Sequence, residues 1–481
     1  MNNSYLNKRG YVIKKNTLTS KKIKEITDIL TVKPNIPSDY GQVINKFKVY
    51  LENDNKLYIP KFFGISEFGL PLNNKVPDGS DINLEFKFKL RDNQLIPAKK
   101  CIDAYKEKGG GILSLGCGYG KTILALYLIC KLKKKTLVIV HKEFLMNQWI
   151  ERIEASIPDA NIGIIQQDKY DVKGKDIVIA MLQSISMKEY NFDAFYCFNH
   201  VIIDECHRIP SQVFSRALQK INAKYMLGLS ATPNRKDGLT KILKWYIGDI
   251  IYSSEKKNEN QVLVNRYFII SNNNNYNNEI IDFRSRPCMP KMINNITEYV
   301  ERTNIIINLI KEIIIIKNRK ILLLSDRRNH LKEIENIIIN NSICSIGYYV
   351  GGMKKKDLKE SESKTLILGT FSMANEGLDI EDLNCLILAS PKSDIIQSCG
   401  RIMRKKHEFE PLIIDIVDNF SLFGRQSDKR LKYYKKSNYL INDYDVNDID
   451  KIYEFKKTHI LKKPLINNDV IIKKNNNNCL F

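Results

Sequence analysis

The run Leu115-Gly116-Cys117-Gly118-Tyr119-Gly120-Lys121-Thr122 places a lysine and a hydroxyl directly after closely spaced glycines. Those residue types hold a phosphate chain. Glycines let backbone N–H groups approach phosphate oxygens, and the start of a following helix adds its dipole. Lys121 would neutralise the β- and γ-phosphates, and the Thr122 hydroxyl would ligate Mg²⁺. The strict pattern has glycine where Leu115 stands, but the part from Gly118 to Thr122 is complete. A plain glycine turn is the competing reading. The apolar strand before the loop and the apolar segment 123–132 after it favour the phosphate. Further on, Val201-Ile202-Ile203-Asp204-Glu205-Cys206-His207 runs an apolar strand into two acids. Asp204 is placed to hold Mg²⁺ directly or through water, Glu205 to orient and deprotonate an attacking water, and His207 to link this site to the next motif.

Three more segments fit the same chemistry. Ser230-Ala231-Thr232-Pro233 ends the next strand, and its two hydroxyls could bond the acid cluster and relay its state. Gln94 precedes the phosphate loop, and its amide could read adenine through paired donor and acceptor bonds. In Gln397-Ser398-Cys399-Gly400-Arg401-Ile402-Met403-Arg404 the two arginines stand three apart, on one face of an expected helix. They could meet a γ-phosphate together, although a surface basic helix beside Lys405 and Lys406 would read the same way. Asn375-Glu376-Gly377-Leu378-Asp379 lies just upstream, at a strand end.

The elements that must position these residues come in two alternating series. Strands are expected at 112–115, 136–140, 176–180, 201–204 and 225–229, then at 320–324, 365–368, 385–388 and 412–417. Apolar strands alternating with helical segments argue α/β units with parallel sheets. The expected organisation is a small accessory domain over 1–85, a nucleotide-binding domain over 86–252, a linker over 253–300, a second α/β domain over 301–440 and a polar tail over 441–481. At 481 residues, roughly three domains are the prior.

Composition bounds the partners. The chain is 43% hydrophobic and 27% charged, which is globular. Lys plus Arg number 76 against 54 acids, a net charge of +22, which points to a polyanion such as nucleic acid. An AT-rich coding bias accounts for part of the lysine excess. The ten cysteines form no C-x-x-C pair, so zinc and a disulfide framework are not expected. Neither a signal peptide nor a bilayer-spanning run is expected, and so no membrane partner.

Taken together, Gln94, Gly116-Cys117-Gly118-Tyr119-Gly120-Lys121-Thr122, Asp204-Glu205-Cys206-His207, Ser230-Ala231-Thr232-Pro233, Asn375-Glu376-Gly377-Leu378-Asp379 and the Gln397–Arg404 run resemble, in order, the motifs of superfamily 2 helicases. The resemblance covers residues 90 to about 420. It implies two RecA-like domains with ATP and Mg²⁺ between them and nucleic acid across both. It also implies ATP-binding roles for Leu115, Gly116, Cys117, Gly118, Tyr119, Gly120, Gly377 and Asp379, a DECH box at 204–207, and coupling roles for Ser230, Ala231, Thr232 and Gln397. The run Ser230 to Gly238 is similar to the XPB and UvsW branch of DNA helicases. Ala389-Ser390-Pro391-Lys392-Ser393-Asp394 and Leu30-Thr31-Val32-Lys33-Pro34 resemble poxvirus-type transcript-release helicases of large DNA viruses. Glu376 stands where many relatives have arginine, and Cys206 where most have alanine.

The resulting expectation is an ATP-dependent helicase or translocase, acting on DNA rather than RNA, working with viral transcription machinery inside the host cell, in the viral factory or packaged in the virion. An RNA helicase is the first alternative. An ATP-switched clamp and a translocase that never unwinds are the others.

Overall fold

The computed structural model describes residues 4–35, 45–116, 118–191, 193–208, 211–231, 237–254, 261–271, 273–283, 285–316, 319–376, 378, 380–405 and 407–447. The chain divides into two compact units, Met1–Lys256 and Lys257–Phe481. Strands of the first unit are β1 (Ser4–Asn7), β2 (Gly10–Lys14), β3 (Thr31–Val32), β4 (Phe47–Lys48), β5 (Leu51–Glu52), β6 (Lys56–Ile59), β7 (Asn73–Asn74), β8 (Gly110–Ser114), β9 (Thr136–Val140), β10 (Ile162–Gln166), β11 (Lys169–Tyr170), β12 (Ile177–Met181), β13 (His200–Ile203), β14 (Tyr225–Ser230) and β15 (Ile250–Ser253).

The large sheet of this unit runs β11-β10-β12-β9-β13-β14-β8-β15, parallel throughout except for the edge pair β10–β11. Thr136-Leu137-Val138-Ile139-Val140 is buried along its whole length. Such unbroken apolar strands need cover on both faces, which is why the sheet is parallel and its crossovers are helices. Leu137, Ile139, Val201 and Ile203 pack on one side with Ile242 and Leu243 of helix Thr240–Ile247. Val138, Val140 and Ile202 pack on the other with Leu124 of helix Lys121–Leu132 and Trp149 of helix Glu143–Ser156.

The N-terminal segment forms its own sheet, β5-β6-β2-β1-β7, whose core face carries Leu6, Tyr11, Ile13, Leu57 and Ile59 against Ile26, Leu30 and Phe63. It is docked on the large sheet's helices. The Phe63 ring meets Trp245 edge-on at 5.4 Å, Tyr246 donates to the Val49 carbonyl, and Lys61 Nζ donates to the Lys224 carbonyl at 2.8 Å. The boundary expected near residue 85 therefore separates two sheets but not two units.

The second unit contains β16 (Leu263–Ile270), β17 (Ile321–Leu324), β18 (Ile346–Tyr349), β19 (Leu366–Gly369), β20 (Cys385–Leu388), β21 (Leu412–Asp418) and β22 (Leu440–Asn447), in the order β18-β19-β17-β20-β21-β16-β22 and all parallel. Two expectations need correction here. The stretch 253–300 is not a linker, because β16 lies inside the sheet and helix Met289–Thr297 follows it. The stretch 441–481 is not wholly tail, because β22 forms the sheet's edge beside β16 and ends at Asn447. Both strands carry polar residues that pair across the strands. Arg266 reaches Asp443 at 3.2 Å and Ser427 Oγ at 2.9 Å, and Asn442 donates to Asn265 at 3.1 Å. Among the described residues no helix is long and apolar enough to cross a membrane.

Candidate active site

In a parallel sheet the loops at the carboxyl ends of the strands share one edge. β8, β14 and β13 are neighbours, so the loop after β8, Ser230 at the end of β14 and Asp204 just after β13 share one stretch of that edge. The phosphate-type loop feeds helix Lys121–Leu132 through Gly120, whose φ of +79° is a left-handed conformation. A Cβ on Gly120 would come within 2.5 Å of Gln94 Nε2, so glycine is required both for φ and for space.

Gln94 is engaged differently from the expected adenine contact. Its amide nitrogen donates to the Tyr119 and Gly120 carbonyls at 3.0 and 3.2 Å, and its oxygen accepts from Arg91 N at 2.9 Å. It is 2% exposed. Here Gln94 braces the glycine loop from behind, with all three contacts going to backbone. Tyr119, whose hydroxyl donates to the Asn93 carbonyl, ties the same two segments together.

Lys121 Nζ lies 3.0 Å from Glu205 Oε1, and both side chains are partly buried, at 12% and 18% exposure. The cation and the acid predicted to serve phosphate and water thus face each other. Glu205 has φ +46°, unusual for a residue with a side chain and the kind of local strain that collects at functional sites. Its Oε2 lies 3.4 Å from His207 Nδ1, which in turn is 2.9 Å from Ser230 Oγ. The acid pair and the end of β14 are therefore bonded through the histidine that sequence reasoning took as a link.

Asp204 sits deeper. Its Oδ1 accepts from Glu205 N and its Oδ2 from Trp149 Nε1, each at 2.9 Å. Burial first, then the neighbouring Glu205 charge, push its carboxyl up, while the Trp149 N–H and Lys121 oppose that shift. Sequence reasoning missed Trp149. Its signal was available, since one of only two tryptophans in the chain falls on the apolar side of a helix and needs an acceptor for its indole N–H. Buried Cys206 packs against Gly228 on β14, where a Cβ would meet its sulfur at 3.2 Å, so it fills the space beneath the acid pair.

Thr122 occupies the second position of the helix, and Leu115 and Gly116 lead into the loop, with Leu115 N bonded to the Ser230 carbonyl. Ala231 follows β14 and is half-buried. Cys117, Thr232, Gly377 and Asp379 lie outside the described residues. As a donor set, the Thr122 hydroxyl and the Asp204 carboxylate are hard oxygen ligands suited to Mg²⁺, with Lys121 beside them for a phosphate.

In the second unit, Gln397 and Arg401 lie on helix Ile396–Arg401. That helix ends at Arg401, so Arg404 is not on a shared helical face and stands in the turn beyond it. The two guanidinium groups nonetheless converge, both donating to the Leu378 carbonyl, at 2.6 and 2.7 Å. Gln397 is buried, and its Oε1 has no hydrogen-bond partner among the described residues.

Comparisons with known proteins show the family. Residues 87–235 match the family described as "Type III restriction enzyme, res subunit", and 303–406 match "Helicase conserved C-terminal domain". The chain is 38% identical over 470 residues to "Putative ATP-dependent RNA helicase L396" of Acanthamoeba polyphaga mimivirus, covering 95% of this chain and 90% of that one. The chain belongs to the superfamily 2 helicases of large DNA viruses. It is also 30% identical to "Putative helicase 161L" of Invertebrate iridescent virus 6, covering 80% and 89% of the two chains. The structure of S. cerevisiae Dbp5 bound to RNA and ADP BeF3 shares the fold, with a TM-score of 0.51 at 10% identity over 74% of this chain and 91% of that one. This helicase hydrolyses ATP, binds nucleic acid and carries RecA-like α/β folds.

Proposed function

We propose that this helicase is a nucleic-acid-stimulated, Mg²⁺-dependent ATPase that moves along or unwinds DNA, within a large virus's transcription or DNA transactions in the host cell. The observation that carries the reading is the Lys121–Glu205 contact at 3.0 Å, set beside buried Asp204. With ATP, Lys121 exchanges the carboxylate for a phosphate oxygen. Glu205 is then free to take a proton from the attacking water. Asp204, held by Trp149 and by its own neighbour's N–H, keeps its carboxylate oriented for Mg²⁺, with Thr122 supplying a second oxygen. Bound Mg²⁺ would supply charge neutralisation between phosphate oxygens. His207 and Ser230 pass the change in Glu205 to the end of β14. Arg401 and Arg404 are the groups assigned to the transferred phosphoryl's developing charge.

The DNA preference rests on the resemblance of the Ser230 to Gly238 run to a DNA-helicase branch. A second reading, RNA as the polymer, is favoured by the name of the mimiviral relative, an ATP-dependent RNA helicase. Telling the sugars apart requires contact with the 2′-hydroxyl or with a groove whose shape depends on it. ATPase rates with no polymer, single-stranded DNA, duplex DNA and RNA, at matched length and salt, decide between them. DNA is expected to stimulate most. Greater stimulation by RNA selects the second reading, and no stimulation by any polymer removes both.

A further inference from the structure

The outer face of the N-terminal sheet carries a set of residues that the ATP site does not use. Tyr5 on β1 registers with Val12 on β2, Val12 with Tyr58 on β6, and Tyr58 with Leu51 on β5. Side chains alternate between faces along a strand, and registered partners share a face. The intervening row, Leu6, Tyr11 and Ile59, belongs to the domain core. Tyr5, Val12 and Tyr58 therefore stand on the opposite side. Val12 is fully buried there between two half-buried tyrosines.

The rest of that face is basic. Lys14 and Lys56 register with each other on it. The Arg9 guanidinium lies 5.3 Å from the Tyr58 ring centre, and the Lys56 and Lys75 ammonium groups lie 5.8 and 5.0 Å from that of Tyr5. The strand positions on this face include no acid. Glu52 registers with Leu57, on the core side, and is paired with Lys15 and Lys48.

An acidic peptide would use the cations but has no need of two rings placed on one row. A single strand of nucleic acid uses both, because every base has a face to stack and every linkage a phosphate to neutralise. Two strand spacings separate the tyrosines, about 9.5 Å, which leaves each ring room for its own base. We infer that the outer face of this sheet is an accessory platform for single-stranded nucleic acid, stacking bases on Tyr5 and Tyr58 and holding phosphates with Arg9, Lys14, Lys56 and Lys75. The inference rests on nucleic acid being the polymer this helicase acts on. It requires neither ATP nor the second unit, and it gives the N-terminal sheet a function.

The test is fluorescence anisotropy of labelled thymidine and uridine oligomers with the full chain, without nucleotide, across a salt series. Tyr5→Leu/Tyr58→Leu keeps apolar cover over Val12 while removing the aromatic faces. It should weaken binding by about tenfold or more. Lys56→Gln/Lys75→Gln leaves the rings in place and should reduce the slope of log affinity against log salt by about 1.4, the release expected for two single-strand phosphate contacts. Both variants should keep the wild-type ATPase rate without polymer, and need more polymer for half-maximal stimulation. A loss seen with either oligomer supports the platform and names its sugar. Wild-type affinity and slope in both variants overturn the platform alone. Failure of the wild-type chain to bind either oligomer would instead remove the polymer assignment beneath it.

Discussion

Both units bury carboxylates beside cations, but they use them in opposite ways. In the first, Lys121 and Glu205 share one contact at 3.0 Å, and each keeps some exposure. In the second, Arg302 and Asp418 are both fully buried, joined by Nε to Oδ1 at 2.7 Å and Nη2 to Oδ2 at 2.9 Å. Tyr276 also donates to Asp418, and Arg302 Nη1 donates to the Ala389 carbonyl. Asp415, on the same strand, is buried against Arg430, and its Oδ2 accepts from both Arg430 and Tyr434. A bidentate pair with its remaining positions filled has nothing left to offer a ligand. A contact that keeps some exposure at the mouth of a loop can be exchanged for a phosphate. Access, rather than the mere presence of a carboxylate beside a cation, separates a charge that builds the fold from one that works.

If that distinction holds, mutations at the working charges should cost rate and leave stability, and the reverse should hold at the bracing ones. The largest effect is expected at Arg404. Replacing it with alanine should lower ATP turnover by about 10³–10⁵, as for arginines that complete a phosphoryl-transfer site, with ATP affinity little changed. Thermal melting should move little, since the half-buried side chain stands in the turn beyond helix Ile396–Arg401. Unchanged turnover with weaker polymer binding would mean that the two arginines are a surface basic patch.

Glu205→Gln comes next. Loss of a general base is worth about 10²–10⁴ in rate. Amide nitrogen and oxygen fit the same space, so the variant should still bind ATP, measurable by a fluorescent analogue, while single-turnover hydrolysis slows. It should also hold nucleic acid longer in the presence of ATP. A variant that folds but no longer binds ATP would place Glu205 among the bracing charges.

Arg302→Met tests the other side. Leaving Asp418 buried without its partner should destabilise the chain by about 3–5 kcal/mol in chemical unfolding. The double variant Arg302→Met/Asp418→Leu should recover much of that, because neither charge then needs solvation. If Arg302→Met keeps its unfolding midpoint but loses ATPase activity, the contrast between the units fails.

The same contrast explains what the sequence made legible. The phosphate loop, the acid pair and the strands around them are contiguous and apolar, so motif and periodicity coincide. Strands expected at 136–140 and 385–388 match Thr136–Val140 and Cys385–Leu388. β16 and β22 were not legible because their polar residues find partners only across strands, Arg266 with Asp443 and Asn265 with Asn442. β10 and β18 escaped for a related reason, since Gly163 and Gly347 interrupt their apolar character. Each glycine sits where a Cβ would collide with a neighbouring segment, at the Asp171 carbonyl or at Ser361. Within the site, the Ser230–His207 link was readable, whereas the bracing role of Gln94 and the Trp149 bond to Asp204 depend on side-chain contacts that no spacing encodes.

Lys61 is a third kind of buried charge, and its effect is expected to be the smallest. It sits beneath the N-terminal sheet, and its described hydrogen bonds go to the carbonyls of Ala223 and Lys224, with no carboxylate among them. Burial first, and then the Lys224 charge, lower its pKa to about 7. The sign follows from proton counting. Between about pH 7 and the ordinary lysine value, the unfolded chain binds a proton at this position that the folded chain does not. Stability must then rise with pH through that window, by about 1.4 kcal/mol per unit at most. Below pH 7 both states carry the proton, and the full cost of burying the charge is present. Lys61→Met removes the titration but keeps the volume. The stability difference between wild type and variant should therefore shift in favour of wild type as pH rises from 7 to 9, while remaining flat from 6 down to 5. Other titrating groups cancel in the difference. A difference independent of pH would mean that Lys61 stays charged when folded and that two carbonyls suffice to solvate it.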